Sequence, residues 1–182
     1  RYYDGKIPES DGLTSKRDDI RAVSDGLKGS SEASFKRVTE LLEWAELRDA
    51  FREAFALSSV ANKAFQDGEP WKTRMSDPEK AEALIHDLCY LIRDLMIIVH
   101  PYMPGYADRV ASFFGKTIWS GVVFDERLTQ SGKAPTAFEH KAEANALSWK
   151  NLGDRAGLST VSTPEIIFKP MDDATAQAYR ER

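Results

Sequence analysis

The side chains with the most chemistry to offer are gathered where one amphipathic stretch stops, in Ala61-Asn62-Lys63-Ala64-Phe65-Gln66-Asp67-Gly68-Glu69-Pro70-Trp71-Lys72. Gly68 suits the end of a helix and Pro70 forbids its continuation, so the spacing predicts a turn over residues 67–69 that presents Trp71 beside the helix end. Asn62 falls four residues after Ser58 and seven after Phe55, on the stripe expected to face inward. A carboxamide there must find partners or cost roughly 1–3 kcal/mol, and it reads as an internal amide tying the helix end to the Pro-Trp turn. Trp71 has two readings. It is either a core or edge aromatic closing one end of a helical fold, or a partly exposed ring on which an unstacked nucleobase lies, a contact worth about 1–3 kcal/mol. Lys63, Lys72, Arg74 and Lys80 could meet phosphates nearby, while Asp67, Glu69, Asp77 and Glu79 offset them.

Other chemistry is sparse. Gly115-Lys116-Thr117 mimics the end of a phosphate-binding loop, but the upstream glycine is Val110 and the chain arrives from a helix. The histidines are His86, His100 and His140; Glu82 and His86 fall four apart on one helix, but no second copy exists to complete a di-metal bundle. No metal site is expected. There is no Gly-x-Ser-x-Gly elbow, and Cys89, in an apolar helical run, has no cation to form its thiolate. The sequence shows no catalytic residues.

The elements that position this corner are helical. Residues 16–28 carry Ile20, Val23 and Leu27 at spacings of three and four, and Gly29-Ser30-Ser31 predicts a break before a second helix with Phe35, Val38, Leu41, Leu42 and Ala45 as its stripe. A third, over 46–66, has Leu47, Phe51, Ala54, Phe55, Ser58, Ala61 and Phe65 on one face. Ser76 or Asp77 with Pro78 opens a long helix whose stripe, Ala81 to Val99, is so wide that other helices must cover it. His100-Pro101-Tyr102-Met103-Pro104 stops it. A shorter helix ending at Gly115 turns Tyr106, Val110, Phe113 and Phe114 to the core. Beyond it periodicity fades: residues 117–124 suit a short extended piece, 130–135 are polar and loose, 164–168 suggest a short strand and 172–182 a polar helix. The expectation is an all-α bundle of about five helices over 1–115, with an irregular C-terminal extension over 116–182 packing on it.

With 182 residues, 42% of them hydrophobic, the chain can fill one core. A net charge of -4 advertises neither DNA nor a generic nucleic-acid surface. The single cysteine excludes an internal disulfide and fits a reducing compartment. With no apolar stretch of about 18 residues and no signal-peptide core, a cytoplasmic protein without membrane contact is expected. A chain that begins at Arg1 suggests a piece of a longer polypeptide.

Ala-Asn-Lys-Ala-Phe at 61–65, Glu-Pro-Trp-Lys at 69–72 and Pro-Tyr-Met-Pro at 101–104 together resemble the anticodon-binding helical domain of class I aminoacyl-tRNA synthetases, most closely methionyl-tRNA synthetase. The opening Arg1-Tyr2-Tyr3-Asp4-Gly5-Lys6-Ile7-Pro8-Glu9 looks like the loop after the family's first anticodon-domain helix. Trp149 with residues 157–168, followed by Asp172 and Asp173, is similar to its closing segment. The Asn-to-Pro-Trp spacing is shared in part by the leucine, isoleucine and valine enzymes. The resemblance implies that the chain reads CAU in the anticodon stem-loop of methionine tRNA, with Trp71 stacking on the first anticodon base and Pro70, Asn62, Lys63, Lys72 and Arg74 beside it. It also implies a parent ligase that uses ATP, magnesium and methionine in a catalytic domain outside this chain, toward which the extension reaches, and no cofactor here. An asparagine and an arginine used by family members would precede Arg1. The rival from another class is a helical protein-interaction module with Trp71 as its anchor.

Overall fold

The computed structural model describes residues 3–118, 122–123, 139–140, 146–167, 177 and 179. Its elements are α1 (Asp18–Glu43), α2 (Leu47–Gly68), α3 (Pro70–Ser76), α4 (Pro78–Val99) and α5 (Pro104–Phe113), followed by β1 (Thr117–Ile118), β2 (Val122–Val123), β3 (Glu139–His140) and β4 (Ala146–Leu147). β1 pairs in parallel with β4, and β2 antiparallel with β3. The all-α bundle of five helices is as expected, but its division is not.

The expected break at Gly29-Ser30-Ser31 is absent, because the serines have work to do inside one continuous α1. Its inward face is Ile20, Ser24, Leu27, Ser31, Ser34, Val38 and Leu41. Ser31 donates to Asp94 Oδ2 at 3.0 Å, and Ser30 donates back to the Gly26 carbonyl at 2.8 Å. Burial of this face outweighs the ~1 kcal/mol that each of Gly26 and Gly29 costs a helix.

On α2 the inward face is rotated from the predicted one. Small residues, Ala50 and Ala54, with Leu57, are buried against the core, and Val60, Ala61 and Ala64 pack on it. The larger side chains are pushed to the flank: Leu47, Phe55 and Phe65 are exposed. Phe51 bridges Phe55 and Tyr102, with ring centroids 4.6 and 5.0 Å away. Small residues win the seam because they let the helix backbones approach closely. On α5 the same substitution occurs: Ala107 and Ala111 are buried while Tyr106 stands 45% exposed.

α4 is the central helix, in contact with α1, α2, α3 and α5. Asp77 caps it by accepting from Lys80 N, with Pro78 in the first turn, as the sequence predicts. Its apolar core residues include Leu88, Leu91, Ile97 and Ile98. Its other face is polar and equally buried, which the pattern did not reveal. Arg93 donates through Nη2 to Asp94 Oδ1 at 2.7 Å and to the carbonyls of Asn151 and Asp154, each at 2.6 Å. Asp94 Oδ2 also accepts from Gly153 N and Arg155 Nη1, and Tyr90 Oη from Leu158 N.

These contacts fasten the C-terminal segment to α4. It then meets the N-terminal loop: Ile7 N donates to the Ser159 carbonyl and Val161 N to the Gly5 carbonyl, with Lys6 and Thr160 forming an antiparallel bridge. Gly5 has φ +75°, and a Cβ there would lie 2.8 Å from the Val161 carbonyl oxygen, so glycine is required twice over. Residues 164–167 form no strand; residue 168, the loose stretch 130–135 and most of the predicted terminal helix fall outside the described residues, although Gln177 and Tyr179 are helical.

Candidate nucleic-acid interface

The corner at the end of α2 is built differently from the predicted turn. Gly68 is helical, and a Cβ on it would come 2.2 Å from Leu84 Cδ2, so this glycine serves close packing of α2 on α4. The reversal is made by Glu69, in the left-handed region at φ +39°. Pro70 then opens α3 at its first turn, where its fixed φ and missing N–H cost nothing. Thr73 locks the corner by donating its hydroxyl to the carbonyls of Gly68 and Glu69.

Trp71 is half-buried on the first turn of α3, its ring tilted 52° to Phe65 with centroids 5.2 Å apart. Both rings line a cleft of about 210 Å³ with Tyr3, Ile7, buried Pro70, Ile85, Cys89 and Val161. The N-terminal loop, α2, α3, α4 and the returning C-terminal segment all contribute walls to it. Burial alone pushes the Cys89 thiol up to about 11, so it stays protonated and acts as wall. The Tyr3 hydroxyl is also pushed up, by burial and by Glu82, while Arg74 pulls it the other way. Arg74, half-buried on α3, is near enough to act on that hydroxyl.

Asn62 is exposed on α2, one turn before Phe65, and ties nothing to the turn. The rotation of the α2 face put it outside, where its amide is open to a ligand. Lys72 is exposed beside Trp71 and pairs with Glu69 at 2.6 Å. Lys63 pairs with Asp67 at 2.6 Å but lines a separate apolar groove of about 450 Å³ between α1, α2 and α4. The structure thus brings Pro70, Trp71, Lys72 and Arg74 together on α3, with Asn62 a short way along α2, and sets Lys63 toward the other groove. Such solvent-exposed pairs are worth roughly 0–1 kcal/mol, so both lysines can exchange a carboxylate for a phosphate at little cost. Phe65 and Tyr3 were missed as site residues. Both lie in stretches that carry the family resemblance, Phe65 in Ala-Asn-Lys-Ala-Phe at 61–65 and Tyr3 in Arg1-Tyr2-Tyr3-Asp4-Gly5, and Phe65 is also an aromatic shortly before the Pro-Trp pair.

Gly115-Lys116-Thr117 follows the carboxyl end of α5, with Gly115 at φ +65° and Lys116 N donating to the Ala111 carbonyl. That is a helix stop, with the wrong end of the dipole for phosphate. His100 is half-buried with Nε2 3.7 Å from Asp108 Oδ2. Among the described residues no helix is long and apolar enough to cross a membrane.

Residues 19–182 match the family model described as the anticodon binding domain of methionyl tRNA ligase. The chain is 61% identical over its whole length to the methionine--tRNA ligase of Treponema denticola and 40% identical to that of Treponema pallidum. It spans 22% and 23% of those relatives, so it corresponds to about a fifth of their length. In fold it is similar to the methionyl-tRNA synthetase of Mycobacterium tuberculosis in its free state, with a TM-score of 0.62 at 18% identity, covering 92% of this chain and 29% of that one. The match over residues 19–182 and the 61% identity over the whole length show the family: this chain belongs to the family of methionyl-tRNA ligase anticodon-binding domains.

Proposed function

We propose that the chain reads the CAU anticodon of a methionine tRNA within an ATP-dependent methionine–tRNA ligase, the first anticodon base stacking on Trp71. The observation that carries this is the α3 corner, where a half-exposed indole beside Phe65 faces an apolar cleft with donors around it. Sequence-specific readers of RNA take unstacked loop bases on aromatic rings and read their edges by hydrogen bonds. Trp71 supplies the platform, the exposed Asn62 amide the edge contacts, and Lys72 and Arg74 the phosphate contacts. Pro70, buried behind the ring, fixes the direction from which Trp71 leaves the backbone. Lys63, on the far side of α2, meets the stem's backbone rather than the bases. The bundle over 1–115 is the reader, and the extension over 116–182 the part that reaches the ligase's catalytic domain, where ATP, magnesium and methionine are handled in the cytoplasm.

The test separates reading from chemistry. In the full ligase, Trp71→Ala should weaken tRNA binding by about 1–3 kcal/mol, roughly 5- to 150-fold. Aminoacylation at limiting tRNA should fall in proportion while methionine activation by ATP is kept. Equal loss of both steps, or full retention of both, would remove Trp71 from the decoding role.

A further inference from the structure

A second concentration of chemistry lies on α4 away from the lysines of the corner. Asp11, His86 and Asp87 each place one nitrogen or oxygen donor within 4.8 Å of the other two. His86 is 6% and Asp87 1% exposed, and Asp11 is half-buried. They come from two elements far apart in the chain, the N-terminal loop and α4, with α1 closing over them through Ser24.

The orientation of each group is fixed by a partner, and one lone pair is left over on two of them. His86 Nδ1 lies 2.7 Å from the Pro8 carbonyl, which only accepts, so Nδ1 carries a proton and, in the neutral ring, Nε2 offers a lone pair. That Nε2 is buried without a hydrogen-bond partner. Ser24 donates to Asp87 Oδ2, and Asp87 Oδ1 is likewise buried and unpartnered. Asp11 Oδ1 accepts from Leu13 N, leaving its second oxygen. A Cβ on Gly12 would fall 1.8 Å from Ser24 Oγ and 3.0 Å from Asp87 Oδ2, so only glycine lets the loop close this tightly over the cluster.

Two buried acceptors without a hydrogen-bond partner, His86 Nε2 in the neutral ring and Asp87 Oδ1, beside the Asp11 carboxylate make a donor set that a bound cation would satisfy. An imidazole nitrogen with two carboxylates suits zinc or manganese rather than calcium or magnesium. An imidazole whose other N–H is held by a backbone carbonyl is the usual way a metal-binding histidine is aimed.

We propose that Asp11, His86 and Asp87 bind one divalent transition-metal ion of the zinc class, clasping the N-terminal loop to α4. The ion is structural: it ties the loop to α4, and none of Asp11, His86 and Asp87 lines the tryptophan cleft or the groove between α1, α2 and α4.

The test uses the 182-residue chain, stripped with a chelator, desalted and titrated with Zn²⁺ by calorimetry, with Co²⁺ absorption reporting ligand type. One equivalent should bind, and the thermal midpoint should rise with Zn²⁺. Asp11→Asn, at a half-buried position that keeps its hydrogen bond to Leu13, and His86→Gln should each weaken binding at least tenfold, whereas Trp71→Ala leaves it unchanged. Far-UV circular dichroism checks that each variant is folded; should His86→Gln unfold, Asp11→Asn decides. No saturable binding, or binding unaffected by Asp11→Asn, would overturn the proposal. So would a His86 Nε2 nitrogen resonance that shows a water partner and does not respond to Zn²⁺.

Discussion

At the α3 corner, Lys72 meets Glu69 in solvent, with side chains 67% and 45% exposed; on α4, Arg93 meets Asp94 at the same kind of distance with side chains 1% and 0% exposed. The two pairs have the same chemistry and opposite uses. In water the corner pair is screened and costs little to open, so its lysine is available to another anion. On α4 the ions have been stripped of water, and they persist because Asn151, Gly153, Asp154 and Ser31 complete their hydrogen bonds. The molecule keeps its exchangeable charge at the tip and its permanent charge inside, where it holds the returning chain.

That contrast can be broken most sharply from the inside. Asp94→Ala leaves Arg93 and Arg155 buried without their shared carboxylate, and should cost about 3–5 kcal/mol in urea unfolding. A loss below 1 kcal/mol would mean that water already enters this network. Next comes Gly68→Ala, which drives a methyl into Leu84 and should cost about 1–3 kcal/mol, with the C-terminal end of α2 losing amide protection first. At the corner itself, Lys72→Ala should move stability by less than about 0.5 kcal/mol while lowering the salt slope of tRNA binding by about one. Smallest is an acid effect. Arg17, through its hydrogen bonds first, holds Asp77 and Asp19 below the ordinary value near 3.8. Because the folded value is the lower one, their contribution is present above about pH 4 and is lost as pH falls through the folded values. Arg17→Ala should lower the thermal midpoint slightly at neutral pH and leave it unchanged in strong acid, so that the acid limb flattens.

The same two regions show what could be read from residues alone. The helices, the Asp77-Pro78 start of α4 and the importance of the Pro-Trp pair were legible, because proline and period act locally. The family resemblance over 61–72 and 101–104 pointed to the right fold and the right domain type. The facing of α2 was not legible: a hydrophobic stripe counts Phe and Ala alike, but a tight seam selects Ala50 and Ala54 and rejects Phe55, and Asn62 moved outward with them. Nor was the continuity of α1 through Gly29-Ser30-Ser31, since Ser31 and Ser34 are polar only until Asp94 and the Glu53 carbonyl meet them. Buried His86, Asp87, Arg93 and Asp94 sat within a helix read as apolar, their partners over fifty residues away in sequence.

The backbone bridge between Gly5 to Ile7 and Ser159 to Val161 has a consequence for biosynthesis. During translation the Gly5 carbonyl and Ile7 amide emerge long before their mates, so one wall of the tryptophan cleft stays unfinished until residues 159–161 have left the ribosome. A nascent product halted before residue 159 can wind its helices, yet its cleft stays open on that side until the segment that docks on α4 arrives.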